Sequence, residues 1–253
     1  MRYNAFVKSL IALAIAVPLF AQSELVVDRG LPKINLNNGS GSVRSNVRWG
    51  QPHDEGFLGD DFKIGAPGER WVIDAIRTWT VPGTQTHHPD HLGDAFQDVR
   101  LYFGSAAKDL TPVIAGSFQE ASDTNDNANI QATEATANGE IAYDDFGASL
   151  RVWQIDFRGL NLTVNGGGTY RFGVWGLGRQ IPGEEKGFTW YNHASNADLS
   201  GGRQDSADGA MLIFDGSGRF QQTFRAKGQG WDKDADINVQ VFAHRVTSKE
   251  TRR

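Results

Sequence analysis

The sequence predicts an all-β protein, an antiparallel β-sandwich that is jelly-roll-like and built as a single domain. Three observations support this fold class. Glycine is abundant, with 30 of 253 residues, against a usual share of about 7%. Short runs between the glycines alternate apolar and polar residues, which is the strand pattern. Helical periodicity is poor after residue 21. Glycine-rich turns are expected at residues 38–41, 166–168, 201–202 and 215–218.

The alternating runs indicate which side chains form the core. In the run from Arg151 to Phe157, for example, Trp153, Ile155 and Phe157 share one face, because successive side chains of a strand point to opposite faces. Residues 119–137 lack such a run, and no apolar stripe marks a helix there, so a long loop is expected. The core is expected to include Ile73, Trp153, Ile155, Phe157, Leu162, Tyr170, Phe172, Val239 and Val241.

The first 21 residues are typical of a secretory signal peptide. Arg2 and Lys8 give a positive flank, and the apolar run at residues 9–20 is shorter than the roughly 20 residues that span a bilayer. Ala21 suits a cleavage site, although an uncleaved anchor is the competing interpretation. The expected domains are a signal peptide at 1–21, an extended lead-in at 22–51, a β-sandwich at 52–246 and a polar tail at 247–253. No second membrane-length run follows, which predicts a secreted or periplasmic mature chain without a membrane span.

Composition excludes several classes of protein. The chain has 30 acidic and 25 basic residues, a formal charge of -5, and this acidic balance argues against nucleic acid as a partner. It contains no cysteine, which excludes disulfides, cysteine-ligated zinc, iron–sulfur clusters and thiol nucleophiles. No G-x-S-x-G, H-E-x-x-H or phosphate-binding-loop motif occurs. Nothing local marks a catalytic centre.

Several short motifs resemble a known family. The chain is similar to secreted bacterial β-sandwich domains with a "D-D-F … W-x-I … V-x-L-Y-F … G-x-Y" pattern, many of which precede a C-terminal sorting anchor that is not expected here. The resemblance implies export and an architecture like that of carbohydrate-binding modules, with no assigned general activity. The matching motifs lie at Gly59 to Phe62, Trp71 to Ile76, Val99 to Phe103, Leu160 to Leu162, Gly168 to Val174, Phe188 to Asn192 and Asp236 to Phe242.

Alternating aspartates suggest calcium as a cofactor. Asp232, Asp234 and Asp236 precede the last strand, and in an extended segment their carboxylates project to one side. A hard cation with oxygen ligands would relieve their repulsion, as would a nearby arginine. Ile237 stands where such a loop usually has glycine. Weaker candidates for an ion are Asp60 with Asp61, Asp123 with Asn125, Asn127 and Glu134, and, for a transition metal, His87, His88, Asp90, His91 and Asp94; the competing interpretation is ordinary solvated turns.

Aromatic residues at strand ends suggest a sugar-binding platform. Trp175, Trp190, Tyr191 and Trp231 lie beside predicted turns, where an exposed ring could stack on a sugar. The competing interpretation is a set of half-buried rim aromatics, since tryptophan is rarely fully buried even in structural roles.

Together these features predict an exported, non-catalytic bacterial sandwich that binds carbohydrate, such as a polysaccharide or cell-surface glycan, or another extracellular or surface ligand, with calcium support. One alternative is a glycan-active hydrolase with paired carboxylates. Another is a structural matrix subunit that self-associates through exposed strand edges.

Overall fold

The computed structural model describes residues 23–31, 47–49, 56–82, 89–118, 127–135, 143–145, 148–185, 187–195, 208–227 and 234–247. These residues form two antiparallel sheets that pack face to face, which confirms the all-β sandwich. The chain crosses repeatedly from one sheet to the other, as it does in jelly-roll folds. No helix within the described ranges is long and apolar enough to cross a membrane.

The larger sheet has eight strands within the described part of the chain. Its main path runs β1-β16-β4-β10-β7, and β12 joins β2 and β15 to the side of β4. The strands are β1 (Glu24–Arg29), β2 (Val47–Trp49), β4 (Arg70–Thr80), β7 (Ile130–Glu134), β10 (Trp153–Asn165), β12 (Asn192–Ser195), β15 (Asp236–Ile237) and β16 (Val239–Arg245).

The second sheet has six described strands in the order β14-β13-β3-β11-β5-β6. A hairpin of β8 (Tyr143–Asp145) and β9 (Ala148–Leu150) stands apart, and the single described helix is the short α1 (Leu92–Ala95). The six strands are β3 (Phe57–Lys63), β5 (Phe96–Ser105), β6 (Thr111–Gly116), β11 (Thr169–Gly178), β13 (Met211–Phe214) and β14 (Phe220–Phe224).

The core between the sheets agrees with the predicted strand faces. The members of the predicted core set are buried there, except that Leu162 and Tyr170 are half-buried at its margin. Phe172 contributes from β11 with 1% of its surface exposed, and its ring centroid lies 6.0 Å from that of Phe62. Burying such side chains provides the main favourable free energy of folding.

Two short segments form the two ends of the main strand path in the larger sheet. Within residues 119–137, expected as a loop, Ile130–Glu134 form an edge strand on β10. Ile130 is fully buried there, but a five-residue edge strand needs only one such anchor and leaves little pattern in the sequence. In the lead-in, Glu24–Arg29 form the opposite edge strand and pair with β16.

Candidate ligand-binding groove

The candidate site lies on the outer face of the six-stranded sheet. Val99 and Leu101 of β5, and Phe172 and Val174 of β11, point into the core. Because side chains alternate along a strand, the residues between them point outward. Trp175 is paired in register with Arg100, which places both side chains together on this outer face.

One end of the outer face is filled by aromatic side chains. Tyr102 packs on Phe57 with ring centroids 4.5 Å apart, and Phe57 stacks on Phe214 at 5.4 Å. The turn after β5 is held to the turn after β13, because the Leu110 amide donates to the Gly218 carbonyl over 2.8 Å. This end is therefore a second small core, and Trp175 packs half-buried at its border.

The other end is an open groove of about 610 Å³ between β5, β6 and β11. Clefts of this size, partly apolar with a few placed polar groups, are typical of small-ligand sites. Pro112, Ala115 and Leu177 provide apolar surface, and four polar side chains stand among them. The groove is lined by Gln97, Asp98, Arg100, Pro112, Ala115, Gly116, Leu177 and Arg179.

Arg100 connects the groove with the aromatic end. Its guanidinium carbon lies 4.8 Å from the centroid of the Trp175 ring, which is a cation–π contact. Its Nε and Nη2 both donate to Oδ2 of Asp98, at 2.9 and 2.7 Å. The Arg100 side chain is 41% exposed, against 15% for Asp98. The arginine is therefore fixed in orientation yet still open to a ligand.

The charged form of Arg100 is secure. Partial burial opposes the charge, but hydrogen bonding and charge attraction from Asp98, with a contribution from Tyr102, outweigh it and raise the pKa of Arg100 above its usual value. Arg179, at the far end of β11, is held by its own contacts: its Nε donates to the Gly93 carbonyl over 2.8 Å, and its amide donates to the Ala95 carbonyl over 2.7 Å.

The structure separates the four predicted aromatic residues. Trp175 borders the groove. Trp190 lies in the core, not at the surface as the sequence suggested, with 4% exposure and an edge contact to Phe96 at 4.9 Å. It occupies the space beside Gly176, where a Cβ would come within 2.7 Å of the indole.

Tyr191 is half-buried, and its carbonyl accepts bonds from Thr80 Oγ1 and the Val81 amide. Trp231 lies outside the described residues.

Asp236, one of the predicted calcium ligands, belongs to a buried charge cluster. Its Oδ1 lies 3.4 Å from Nη1 of Arg29, and the same nitrogen lies 3.3 Å from Oδ2 of Asp60. Asp236 also accepts the amides of Asp208 and Gly209 at about 3.0 Å. The three charged side chains are 2%, 1% and 3% exposed, respectively, for Arg29, Asp60 and Asp236. Arg29 thus lies between the two carboxylates and contributes one positive charge to the cluster.

Burial dominates the titration of the two carboxylates in this cluster. It raises the pKa of Asp60 well above the usual value, although Arg29 and the amides of Ile237 and Asp61 act in the opposite direction. It raises the pKa of Asp236 as well, again against the attraction of Arg29. Two buried carboxylates share one guanidinium, so the cluster favours keeping a proton.

A buried histidine lies next to the charge cluster. The Asn238 amide nitrogen donates to the carbonyls of Arg29 and Gly30, at 3.1 and 2.7 Å. The Asn238 oxygen therefore faces Nδ1 of His193, 2.7 Å away, and that nitrogen must carry the proton of a neutral ring. Burial lowers the pKa of His193 to about 4, although the Asn238 bond counteracts it.

Asp234, another predicted calcium ligand, has protein partners of its own. Asp234 accepts from Nη1 of Arg225 at 3.3 Å and from the amide of Lys227 at 3.0 Å. Asp232 lies outside the described residues. Within the ranges that the structure describes, no group of three or more histidine or acidic side chains is arranged to hold a metal ion.

The weaker predicted ion sites also have ordinary contacts where they are described. Asp90 pairs with Arg151 at 3.1 Å, and Asn127 bonds the Asn129 amide and the Ala115 carbonyl. His91 and Asp94 are exposed around α1, and Glu134 lies 3.6 Å from Arg151. Residues 87, 88, 123 and 125 lie outside the described ranges.

One serine, one aspartate and one histidine do meet on the larger sheet. Ser23 Oγ donates to Oδ2 of Asp74 over 2.6 Å, and Nδ1 of His244 lies 2.8 Å from the same oxygen. In a hydrolytic triad the serine hydroxyl bonds the histidine. Here it bonds the aspartate, so this contact does not activate a nucleophile.

The residues that line the groove were not predicted from the sequence. Trp175, which borders the groove, was predicted. One pattern points to the lining residues in retrospect: Arg100 interrupts the apolar run from Val99 to Phe103 at an outward-facing position.

No protein-family model matches the chain, and neither a curated protein nor a solved structure shows significant similarity to it.

Proposed function

We propose that this protein is an exported sandwich that binds carbohydrate in the groove on the outer face of its six-stranded sheet. The observation that carries the proposal is the Arg100–Trp175 stack at the edge of a groove of about 610 Å³. Sugar rings present both hydroxyl groups and apolar C–H faces, so they need polar groups beside an apolar or aromatic surface.

The groove offers these two kinds of surface side by side. Leu177, Pro112 and Ala115 suit the apolar face of a sugar, while Gln97, Asp98 and the two arginines can hydrogen-bond its hydroxyl groups. The pair Asp98–Arg100 fixes two of these groups before a ligand arrives, which reduces the conformational entropy lost on binding.

The polar side chains that line the groove favour binding over hydrolysis. Glycoside hydrolysis usually needs two carboxyl groups facing each other across the bond. Among the described residues that line the groove, Asp98 is the one carboxylate, and it is engaged by Arg100. The proposal is therefore a binding protein and not a hydrolase.

Calcium stays a prediction that is separate from the groove. Asp234 and Asp236 already have protein partners, so calcium at this place depends on Asp232 and its neighbours. If calcium binds there, a chelator should lower the melting temperature, and Asp234→Ala should remove that response. An unchanged melting temperature in chelator would contradict the calcium prediction and leave the groove proposal intact.

The groove is tested by binding of a polysaccharide panel to immobilised mature protein. Wild type should retain at least one polymer, and Trp175→Ala should weaken that binding about tenfold or more. The variant loses both the ring proposed to contact a sugar and the cation–π contact that orients Arg100. Trp231→Ala, predicted from the sequence to matter for sugar binding, belongs in the same series.

Arg158→Ala is the matched control. Arg158 lies on β10 in the other sheet, is 50% exposed and pairs with Asp156 at 2.8 Å. Its removal should leave binding unchanged. Equal binding by wild type and Trp175→Ala, with both proteins folded, would move the site away from this groove. Retention of no polymer by the wild type would overturn the proposal and favour self-association, which light scattering would detect.

A further inference from the structure

We infer that the groove selects an acidic polysaccharide whose sugars carry carboxylate groups, as uronic acids do; the inference rests on the proposed function of the groove. It begins from formal charge. Among the described residues that line the groove, Arg100 and Arg179 are positive and Asp98 is negative, so their formal charges sum to +1. The whole chain carries -5. The described lining is thus positive in formal charge on an acidic protein.

The positive groups are of the kind that recognises a planar anion. A guanidinium presents a rigid fork of N–H donors that matches the two oxygens of a carboxylate, whereas a lysine ammonium is a point charge. The groove contains two arginines and no lysine among its described lining residues.

Both arginines are positioned by contacts within the protein. Arg100 lies on the Trp175 ring and is bonded through Nε and Nη2 to Asp98. Arg179 is fixed through its Nε to the Gly93 carbonyl. Long side chains lose rotamer entropy when a ligand immobilises them, and these contacts have already restricted both side chains. Cationic side chains that are already held in position favour an anionic ligand over a neutral one.

The groove is also open to solvent. Its walls come from three neighbouring strands, β6, β5 and β11, and Arg100 connects it with Trp175 at the aromatic end. The apolar side chains of Pro112, Ala115 and Leu177 lie among the charged groups. A uronic acid combines the two chemistries, because its ring has an apolar face and its C6 carboxylate is planar.

The experiment compares two forms of one polymer. Immobilised polygalacturonate carries a carboxylate on each sugar, and its methyl ester keeps the backbone while removing that charge. We expect wild type to bind polygalacturonate at least about tenfold more tightly than the ester, given that a hydrogen bond to a charged group is worth more than a neutral one. Dextran sulfate and dextran complete the panel as a sulfated and a neutral polymer.

Charge-removing variants locate the effect. Arg100→Gln and Arg179→Gln should each weaken binding to polygalacturonate about tenfold and weaken binding to the ester by a smaller factor, because the ester presents no charge to the arginines. Arg100→Lys should recover only part of the binding, because it restores charge without the fork. Arg158→Gln, with the same loss of charge on the other sheet, should bind like wild type. Circular dichroism and melting curves confirm that each variant is folded.

The outcomes separate this inference from the proposed function. If wild type binds the ester or dextran as tightly as polygalacturonate, and Trp175→Ala weakens that binding, the carbohydrate proposal stands and the acidic ligand is wrong. Binding to dextran sulfate alone would overturn the carboxylate assignment. Unchanged binding in both groove arginine variants would also overturn it, and the failure of every polymer to bind would overturn both.

Discussion

The protein uses arginine–aspartate contacts in two regions that differ in their exposure to solvent. In the buried cluster, Arg29 lies between Asp60 and Asp236, and all three side chains are at most 3% exposed. In the groove, Arg100 pairs with Asp98, and 41% of the arginine side chain is exposed. The arginine–aspartate contact is therefore excluded from solvent in the buried cluster and accessible to solvent in the groove.

The difference lies in what else each pair contacts. The buried cluster joins an early and a late strand of the chain, because Arg29 belongs to β1 and Asp236 belongs to β15, directly before β16. Its remaining bonds go to backbone groups of the fold. The groove pair contacts an indole and open space. The buried cluster thus contacts only the fold, whereas the groove pair is open to the ligand that we propose.

The largest expected effect on stability comes from removing the buried cation, Arg29. Arg29→Gln should lower the free energy of unfolding by about 3–5 kcal/mol, because two carboxylates would remain buried without their neutralising partner. Urea denaturation measures this loss, and the midpoint should shift at an unchanged slope. A loss below about 1 kcal/mol, as for an ordinary surface pair, would mean that the cluster does not hold the fold.

A second effect concerns pH and the histidine beside that cluster. The pKa of His193 is about 4 in the folded protein, against 6.5 as the ordinary value. Between these values the unfolded chain binds more protons, so the stability that neutral His193 contributes falls as the pH falls from 6.5 to 4. The integrated effect is on the order of 3 kcal/mol. Melting curves of wild type across this window measure it.

The neighbouring carboxylates have the opposite sign. The pKa values of Asp60 and Asp236 are raised on folding, so their contribution to stability falls as the pH rises above 3.8. His193→Asn should therefore abolish the loss of stability below pH 6.5 and leave a flat or reversed profile. His91→Asn, at an exposed position, is the control and should keep the wild-type profile. A steep acid loss that persists in His193→Asn would assign it to other groups.

The smallest effect on stability is expected in the groove. Arg100→Gln should change the free energy of unfolding by less than about 1 kcal/mol, since exposed ion pairs contribute little. Arg158→Gln on the other sheet should behave alike. Chemical denaturation of these two variants beside Arg29→Gln gives the comparison under one set of conditions. A loss in Arg100→Gln as large as that in Arg29→Gln would make the groove pair structural.

The fold could be predicted from the sequence because its determinant is local. Alternation in the run around Trp153 and Phe157 identifies a strand and its buried face, whichever strand lies beside it. The edge strand Ile130–Glu134 was missed because it buries few apolar residues. Trp190 was misplaced because a strand-end position does not reveal that Gly176 leaves room for its indole in the core.

The site could be predicted only in part, because it depends on contacts between distant segments. Asp236 and Asp60 were singled out as candidates for binding an ion with their sequence neighbours, whereas the structure pairs both with Arg29, a residue far from Asp236 in the sequence. Trp175 was singled out by residue type. Arg100 and Pro112 meet Arg179 only after β5, β6 and β11 have paired, and no spacing in the sequence encodes that register.

The most direct test of the groove is a nuclear magnetic resonance titration of labelled protein with an oligosaccharide of the polymer that it retains. Backbone amides of residues 97–100, 113–116 and 175–179 should shift on binding, together with the Nε–H resonance of Arg100. The amides around Arg29, Asp60 and Asp236 should stay in place. Shifts confined to the larger sheet or to the buried cluster, with the groove amides unmoved, would contradict the account.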